Sequence, residues 1–327
     1  MTTTTAELEW PVPWEPVEGD RNGPSQALST AALRALVAVV SRLPWGLQQA
    51  VVRAVARLAK AVDRRHSDAG RRFVETALGP GLDPARREAL VLAAWEHLLT
   101  HTLEMSRFDA VVPPERFFEH VHVDLSDDVR RMIAEARGGL LLTAHVGAFE
   151  LAPVMSERLG TRPMYVVSRP PRNGPLSRFA QRQREARGYR LLHRHGAAAS
   201  IPRVVAGGGY VGLMVDQRAR QKTVVAPFFG HPAHCERAVA VFARRLGVPV
   251  AFGAVYRTGR RWHYRAEYKR VLWPEDLAGL SLEEVTVRIN AELERMILAA
   301  PEQYFWIHDR YRGAPEAGQG AAAEAGS

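Results

Sequence analysis

The sequence predicts an α/β fold in which a mixed, largely parallel sheet is flanked by helices and preceded by an N-terminal helical region. Residues 27–108 carry a helical pattern throughout, interrupted near Pro44 and at residues 79–81. From residue 117 onward, strand and helix patterns alternate, which is typical of α/β proteins. The short apolar run 140–144 has the composition of a buried central strand. In such folds, sites lie at the carboxyl ends of the strands.

The predicted elements of the α/β region follow one another in a regular order. We predict strands at residues 120–123, 140–144, 163–168, 189–193, 211–215, 249–257 and 262–271. We predict helices at residues 124–137, 147–159, 175–187, 197–206, 233–246 and 281–299. Ser126 is interpreted as the cap that opens its helix, and residues 217–232 are interpreted as a loop.

Length and composition indicate one large domain. The chain has 327 residues, of which 46% are hydrophobic, so it contains enough apolar material for a sizeable core. We predict a single domain over residues 25–312, with a helical, membrane-facing part at 25–112 and an α/β core at 113–312. Residues 1–24 and 313–327 are predicted to be a disordered leader and tail. We expect neither a secretory signal nor a membrane-spanning segment.

The charge of the chain is strongly basic and is carried mainly by arginine. There are 44 Lys and Arg residues against 35 Asp and Glu, a formal net charge of +9. Because arginine binds phosphate in a bidentate manner, the excess is compatible with phosphorylated lipids, phosphate-bearing carrier groups or nucleic acid. It is equally compatible with a solvated basic surface. Nucleic-acid binding is disfavoured because most aromatic residues fall in apolar runs.

The helix predicted at residues 47–64 has two opposed stripes. At about 100° per residue, one narrow face collects the apolar residues Leu47, Val51, Val55, Leu58 and Val62. The far side collects the basic residues Arg53, Arg57, Lys60 and Arg64. Such a helix either rests in the headgroup layer of a membrane or packs its apolar stripe on the protein core, and the sequence leaves both alternatives open.

Two acidic residues and one histidine are predicted to share the crevice above the sheet. His145 directly follows the strand predicted at 140–144, and Glu150 lies five residues later. Asp216 directly follows the strand predicted at 211–215. A histidine held by a carboxylate through one ring nitrogen can take a proton from an alcohol through the other. Position alone is also compatible with an ordinary structural histidine.

Four segments in order resemble the bacterial glycolipid acyltransferases, which comprise the late (secondary) acyltransferases of lipid A biosynthesis and the related phosphatidylinositol mannoside acyltransferases. The first segment, residues 143–151, resembles the family's motif of a histidine followed by an acid five residues later. Residues 212–217 resemble its strand-Asp-Gln segment, and residues 227–233 resemble its Phe-Phe-Gly loop. Residues 301–308 resemble its C-terminal Pro-Glu-Gln-Tyr-x-Trp motif. The resemblance covers about residues 30–312.

The resemblance implies a glycerolipid-acyltransferase-like fold and a general-base mechanism. His145 would deprotonate the acceptor hydroxyl, Asp216 would orient His145, and Glu150 would position the acceptor or share that task. The hydroxyl would attack an acyl thioester of acyl carrier protein or coenzyme A directly, without an acyl-enzyme. Backbone N–H groups near Gly147 or Gly230 are candidate donors to the tetrahedral oxyanion.

Further residues are expected to bind substrate because they stand in matched segments. Arg169 and Arg184 lie in elements that resemble the family's strand-Arg-Pro and Arg-x3-Gly segments and are candidates to clamp a phosphate. Gln217 and Phe229 belong to the second and third matched segments. The Asp-Gln pair is closer to the lipid A branch than to the mannoside branch. Ala148-Phe149 departs from the family's usual Asn-Trp, so no side-chain amide is available at that place.

Other readings of the sequence carry less support. Cys235, the only cysteine, excludes a disulfide framework and suits a reducing compartment, and it is interpreted as an inert thiol in a helix rather than a nucleophile. No histidine pair has a third ligand at metal-site spacing, so neither a metal nor another cofactor is expected. A catalytically silent membrane scaffold of the same fold, or a hydrolase, remains an alternative. The expected location is the cytoplasmic face of the bacterial inner membrane, as a peripheral protein.

Overall fold

A computed structural model describes residues 21–135, 137–161, 163–168, 173–188, 190–193 and 196–315. Most of the predicted leader lies outside the described residues, as does the predicted tail from residue 316 onward. Arg169 also lies outside them. The division into a helical part and an α/β core stays a prediction.

The helices alternate with strands beyond the first third of the chain. Within the described residues they are α1 (Pro24–Val40), α2 (Trp45–Val62), α3 (Arg64–Leu78), α4 (Pro84–Met105), α5 (Phe108–Val111), α6 (Phe117–His120), α7 (Asp127–Glu135), α8 (Ala152–Arg158), α9 (Gly174–Ala186), α10 (Ala197–Ala206), α11 (Arg237–Arg245), α12 (Pro274–Leu277) and α13 (Leu282–Leu298). Short 3₁₀ turns lie at Pro114–Arg116, Phe149–Leu151 and Pro301–Gln303.

A mixed, largely parallel sheet of seven strands forms the centre of the described structure. Counting a separate two-stranded pair, the described residues form the strands β1 (Val121–Leu125), β2 (Gly139–Thr143), β3 (Met164–Ser168), β4 (Arg190–His193), β5 (Tyr210–Met214), β6 (Thr223–Phe228), β7 (His231–Glu236), β8 (Val250–Arg257) and β9 (Tyr264–Leu272). The seven-stranded sheet has the order β1-β9-β8-β2-β5-β3-β4, and β6 pairs with β7 separately. Strands β8, β2, β5, β3 and β4 run parallel, whereas β9 and β1 run the opposite way. The predicted α/β fold is therefore confirmed.

Apolar side chains cover both faces of this sheet. Along β2, Leu140 and Leu142 pack into one buried cluster and Leu141 packs into another, because successive residues of a strand point to opposite faces. Helices cover the two faces, which is why the central strands are continuously apolar. The carboxyl ends of β2 and β5 consequently lie side by side, with Thr143 opposite Met214.

The prediction of a loop over residues 217–232 is wrong, because residues 223–236 form the β6–β7 hairpin. Phe228 pairs with His231, so Phe229 and Gly230 make a two-residue turn with positive φ values of 50° and 75°. Such turns favour Asn or Asp before Gly, and a phenylalanine there hides the hairpin signal. The helix predicted at 233–246 therefore begins only at Arg237, and Cys235 lies on β7 rather than in a helix.

The helix predicted at 147–159 is also shorter than expected. Residues 149–151 form a 3₁₀ turn, and α8 begins at Ala152. The cause lies upstream, where the N–H groups of Gly147 and Ala148 donate to the carbonyls of Gln303 and Val255. These bonds hold Gly147 at a φ of +62° and Ala148 at a φ of −89° and a ψ of 58°, neither of which is helical, so the helix begins only beyond them.

Helix α2 packs on the protein through a different face from the one expected for core packing. Gln48, Val52 and Ala56 are buried, with the Gln48 amide oxygen accepting from Arg261 Nη2 at 2.7 Å. Four members of the apolar stripe are instead exposed to solvent: Leu47, Val55, Leu58 and Val62. The alternative in which this stripe packs on the core is therefore wrong. In the described part of the chain, no helix is both long enough and apolar enough to cross a bilayer.

Candidate active site

His145 and Asp216 meet at the carboxyl edge of the two central strands. His145 follows β2 and Asp216 follows β5, and these strands are hydrogen-bonded neighbours. The Nδ1 atom of His145 lies 2.8 Å from Oδ1 of Asp216, and the backbone N–H of His145 donates to Oδ2 at 3.2 Å. One carboxylate therefore fixes both the position and the ring orientation of the histidine.

The two side chains shift each other's pKa values in opposite directions. The side chain of Asp216 is fully buried; burial opposes its ionisation, but the neighbouring His145 outweighs burial and lowers the pKa of Asp216 to about 2. Burial disfavours the charged form of His145 as well. The negative charge of Asp216 and the hydrogen bond to it overcome that effect, so the pKa of His145 is raised above its ordinary value of 6.5. The partner carboxylate thus makes His145 a stronger base than a free histidine.

The C-terminal segment holds the loop that carries His145. The backbone N–H of Gly147 donates to the Gln303 carbonyl at 2.8 Å, and the N–H of Phe305 donates to the His145 carbonyl at 3.1 Å. The side chain of Gln303 in turn pairs with the backbone of Arg257, at 2.9 and 3.0 Å. The segment matching the Pro-Glu-Gln-Tyr-x-Trp motif therefore acts as a clamp on the His145 loop.

Gly147 is required by the geometry of this loop. Its φ is +62°, and a Cβ atom there would lie 2.1 Å from the Val255 carbonyl oxygen, whose place cannot shift because Ala148 N–H donates to it at 2.6 Å. The N–H of Gly147 is already bonded to Gln303. In this structure that N–H is not available to an oxyanion, so the part of Gly147 shown here is to turn the chain.

Glu150 and Arg184 form a second, separate pair beside His145. Arg184 Nη2 makes a very short contact with Glu150 Oε1, Nε donates to Oε2 at 3.1 Å, and Nη1 donates to Ser168 Oγ at 3.2 Å. Burial opposes the ionisation of Glu150, but the guanidinium outweighs it and lowers the pKa of Glu150 to about 2. Glu150 is therefore a carboxylate throughout the physiological range. Arg184, predicted to clamp a phosphate, binds this carboxylate.

Two cavities of different character share the Glu150–Arg184 pair in their walls. The narrow cavity encloses about 60 Å³ and is otherwise lined mainly by apolar residues of the sheet and α8, including Met164 and Tyr268. The wide cleft encloses about 780 Å³ between α1, α4 and α9. Both cavities therefore reach the same pair, whose Glu150 interacts electrostatically with His145.

The packing of aromatic rings against His145 was not predicted from the sequence. Phe149 lies with its ring centroid 5.2 Å from that of His145 and 4.1 Å from that of His101, on which it stacks. Burial lowers the pKa of His101 to about 3, so this ring is neutral. His97 lies beside it and contacts Arg257 at 3.1 Å. Helical spacing placed His97 and His101 on one face, but nothing local showed that α4 packs against the His145 loop.

His308 was also missed as a neighbour of the pair. Its Nδ1 donates to the Phe305 carbonyl at 3.1 Å, and burial lowers its pKa to about 4 although the charge of Asp216 opposes that shift. The ring of His308 is therefore neutral and in electrostatic contact with Asp216. Its place in the fourth matched segment was the available signal.

Among the described contacts, none joins the remaining predicted residues to the side chain of His145. Phe229 donates its N–H to Glu294 Oε1 at 2.7 Å and packs its ring on Trp306, so the contacts described for the turn are with α13 and the C-terminal segment rather than with His145. Gly230 occupies the second turn position. Gln217 follows Asp216 and is half-buried. Cys235 is buried and accepts from Arg310 Nη2 at 3.1 Å, as an inert thiol would.

A histidine that is held by a buried carboxylate at the carboxyl edge of a largely parallel sheet is able to take a proton from a hydroxyl. Among the described residues, no group of three potential ligands could hold a metal ion. The model of a protein family described as bacterial lipid A biosynthesis acyltransferase matches residues 24–313. Because the match covers most of the 327 residues, the chain belongs to this family and is an acyltransferase. No curated protein matches the chain significantly.

Proposed function

We propose that the enzyme transfers a fatty acyl group from a thioester of acyl carrier protein or coenzyme A to a hydroxyl of a membrane glycolipid or phospholipid. The reaction would be most like the secondary acylation of lipid A. The observation that carries the mechanism is the 2.8 Å contact between His145 Nδ1 and a fully buried Asp216 carboxylate. Family membership supports the lipid acceptor in general.

His145 is the general base of the proposed reaction. Since Nδ1–H donates to Asp216, the neutral ring has its lone pair on Nε2. Nε2 takes the proton of the acceptor hydroxyl while the hydroxyl oxygen attacks the thioester carbonyl. The tetrahedral intermediate then collapses, the carbon–sulfur bond breaks, and the imidazolium returns its proton to the thiolate. Asp216 stabilises the imidazolium formed in the first step, and no acyl-enzyme is needed.

Glu150 serves this reaction as a fixed charge rather than as an acid. A carboxyl group with a pKa of about 2 does not carry a proton at neutral pH. Its pairing with Arg184 holds it in the walls of both cavities, where it can accept a hydrogen bond from a substrate hydroxyl. This supports the positioning role expected of Glu150.

Part of the acyl chain is proposed to enter the narrow cavity, whose volume of about 60 Å³ is far smaller than that of a whole fatty acyl chain. Its wall is apolar apart from a few groups such as Glu150, Arg184 and the Tyr268 hydroxyl, and the last of these bonds to the Ala152 carbonyl at 2.9 Å. A satisfied hydroxyl presents little polarity to a ligand. A slender hydrocarbon chain is the ligand that suits such a wall.

We also propose that the enzyme lies on a membrane surface, peripherally and at the cytoplasmic face of the bacterial inner membrane. Eleven large apolar side chains are exposed among the described residues, and eight of them lie on the consecutive helices α1 and α2. Those eight are Leu28, Leu33, Leu36, Val39, Leu47, Val55, Leu58 and Val62. Exposed apolar residues concentrated on neighbouring helices indicate a binding surface. The chemistry of the acceptor makes a bilayer the fitting partner.

The transfer itself is tested with labelled acyl thioesters of acyl carrier protein and of coenzyme A, each offered with a panel of lipid acceptors. The wild type should label one lipid class. His145→Ala should abolish the label while the fold is retained, and His122→Ala, which removes an exposed histidine on β1, should leave it unchanged. Free fatty acid as the main product would favour a hydrolase, and no product with either donor would favour a silent scaffold.

Membrane binding is tested by co-sedimentation with phosphatidylethanolamine–phosphatidylglycerol vesicles. Leu58 and Val62 are 64% and 74% exposed. Burying most of each apolar side chain is worth about 1–2 kcal/mol, so Leu58→Gln/Val62→Gln should weaken binding at least about tenfold. The control Val287→Gln/Leu298→Gln removes exposed apolar residues from α13 and should bind like the wild type. Equal weakening in both variants would refute a specific membrane-facing surface.

A further inference from the structure

The wide cleft between α1, α4 and α9 has a basic and apolar lining. Five arginines line it, Arg34, Arg42, Arg107, Arg184 and Arg187, against one acidic residue, Glu150. Apolar residues of α1 and α9, among them Leu33 and Phe179, line it as well. A ligand that fits this surface must combine negative charge with hydrocarbon.

Three of these arginines keep their charge available for a ligand. Arg184 and Arg187 are paired with Glu150 and Asp109. Arg34, in contrast, lies over the Phe179 ring at 4.3 Å. The remaining two donate to backbone carbonyls, Arg42 to Ala38 at 2.6 Å and Arg107 to Ser41 at 3.1 Å. Among the described residues, no carboxylate neutralises these three guanidinium groups.

A further arginine, Arg261, adds positive charge next to Arg107. Arg261 also donates to the Ser41 carbonyl, at 3.2 Å, so two guanidinium groups converge on one carbonyl oxygen at the end of α1. The nearby charge of Arg107 adds to burial in lowering the pKa of Arg261, and the charge of Glu104 only partly opposes that shift. Like charges held this close favour an anion between or beside them. Phosphate is the anion that best matches several guanidinium groups, because it offers many acceptor oxygens.

The cleft is connected to the proposed membrane-facing surface. Leu33 lines the cleft and is also 42% exposed. Leu36 and Val39, which follow on the same helix, are 60% and 63% exposed. A lipid lying in a membrane against α1 could therefore move its headgroup into the cleft while its chains remain on the apolar side. A soluble phosphate compound would gain nothing from this apolar rim.

We propose that the α1–α4–α9 cleft binds the phosphate-bearing headgroup of the acceptor lipid, with Arg34, Arg42 and Arg107 as its phosphate ligands. The lipid reaches the cleft along α1, and its hydroxyl approaches the Glu150–Arg184 pair at the inner wall. Part of the donor's acyl chain enters the narrow cavity, whose wall shares that pair. This assignment rests on the proposed acyltransfer and gives the acceptor's headgroup a place in the fold and three named ligands.

The test measures binding without any acyl donor, so that its failure is distinguishable from a failure of the proposed transfer. Dihexanoyl phosphatidic acid, which carries a phosphate and two short chains, is titrated into the full chain by calorimetry. Dihexanoylglycerol, which lacks the phosphate, and coenzyme A, which lacks the chains, are titrated in parallel. The wild type should bind the phosphatidic acid at least about tenfold more tightly than dihexanoylglycerol, since hydrogen bonds to charged groups are strong.

The decisive variant is Arg34→Gln/Arg107→Gln. It should raise the Kd for dihexanoyl phosphatidic acid at least about tenfold. Arg261 still bonds the Ser41 carbonyl in this variant, and circular dichroism checks that the fold is retained. The control Arg130→Gln/Arg245→Gln removes two exposed charges from α7 and α11 and should leave the Kd unchanged. If the double variant does not fold, Arg34→Gln alone, at an exposed position, should raise the Kd about threefold or more.

Three results would overturn the proposal. Equal weakening in the cleft variant and the control would show that only the overall basic charge attracts the lipid. An unchanged Kd for phosphatidic acid in the cleft variant would show that these arginines do not bind the phosphate. A raised Kd for coenzyme A, with that for phosphatidic acid unchanged, would assign the arginines to the phosphates of the donor.

Discussion

The Glu150–Arg184 pair offers a direct test of the electrostatics at this site. Both side chains are mostly buried, with 16% of Glu150 and 23% of Arg184 exposed. The substitution Arg184→Met keeps most of the side-chain volume and removes the positive charge. It leaves a carboxylate in a poorly hydrated place without its guanidinium, which is strongly destabilising for buried pairs.

The size of the effect follows from the pKa of Glu150. That pKa is lowered from 4.5 to about 2, although burial acts to raise it. At about 1.4 kcal/mol per pKa unit, this lowering corresponds to about 3–4 kcal/mol of net stabilisation of the carboxylate in the folded state. Removing Arg184 leaves burial as the largest influence, so the pKa of Glu150 should move above its ordinary value. We therefore expect Arg184→Met to lower the free energy of unfolding by at least about 3 kcal/mol at neutral pH.

A double-mutant cycle in urea measures this interaction. The cycle comprises the wild type, Arg184→Met, Glu150→Gln and the double variant. The double variant should be more stable than Arg184→Met, because it no longer buries an unpaired charge. The more exposed pair Arg131–Glu135 on α7 provides the control cycle, for which a coupling of about 0.3–0.5 kcal/mol is expected. A Glu150–Arg184 coupling no larger than the control value would refute the reasoning.

The same pair sets a pH dependence. Because the folded-state pKa of Glu150 is lowered, its contribution to stability is fully present above pH 4.5 and is lost as the pH falls towards about 2. In Glu150→Gln, stability should therefore fall less steeply below pH 4.5 than in the wild type. An identical acid dependence in the two proteins would show that Glu150 is not held as a carboxylate by its surroundings.

Three further predictions concern the reaction and its substrates. Asp216→Asn removes the charge that raises the pKa of His145, so the acid limb of the kcat/KM profile, expected above pH 6.5, should move to lower pH while the rate falls about 100-fold or more. If the acid limb of the variant stays at the same pH as in the wild type, Asp216 does not control the pKa of the general base. Gly147→Ala should destabilise the enzyme by about 1–3 kcal/mol for its positive φ and by more for the clash with Val255, measured by urea unfolding with Ala148→Gly as a comparison. Met164→Ala enlarges the narrow cavity and should shift the preference towards longer acyl chains in competition between donors; an unchanged preference would place the chain elsewhere.

Much of the fold could be predicted from local patterns. The apolar run at β2, the alternating elements that follow and the capped helix α13 all have the periodicity expected of their final structures. The β6–β7 hairpin could not be predicted, because a phenylalanine at a positive φ replaces the usual turn residues. The late start of α8 could not be predicted either, since it depends on hydrogen bonds from Gly147 and Ala148 to distant carbonyls.

The candidate site divides in the same way. The ends of two apolar strands already placed His145 and Asp216 at one edge, because the carboxyl ends of neighbouring parallel strands meet. The partner of Glu150 was not predictable from the sequence, and Arg184 was expected to bind phosphate instead. The ring of His101 lies against Phe149 only because α4 packs on the His145 loop.

The sequence by itself determined the α/β class, the family and the identity of the histidine–carboxylate pair. Those features depend on hydrophobic periodicity and on short motifs, both of which are local along the chain. Only the tertiary structure decided that the apolar stripe of α2 faces outward, that Arg184 neutralises Glu150 and that three other arginines line an open cleft. The physical reason is that burial and charge pairing depend on which distant segments pack together, and a helical pattern shows which residues share a face but not what covers that face.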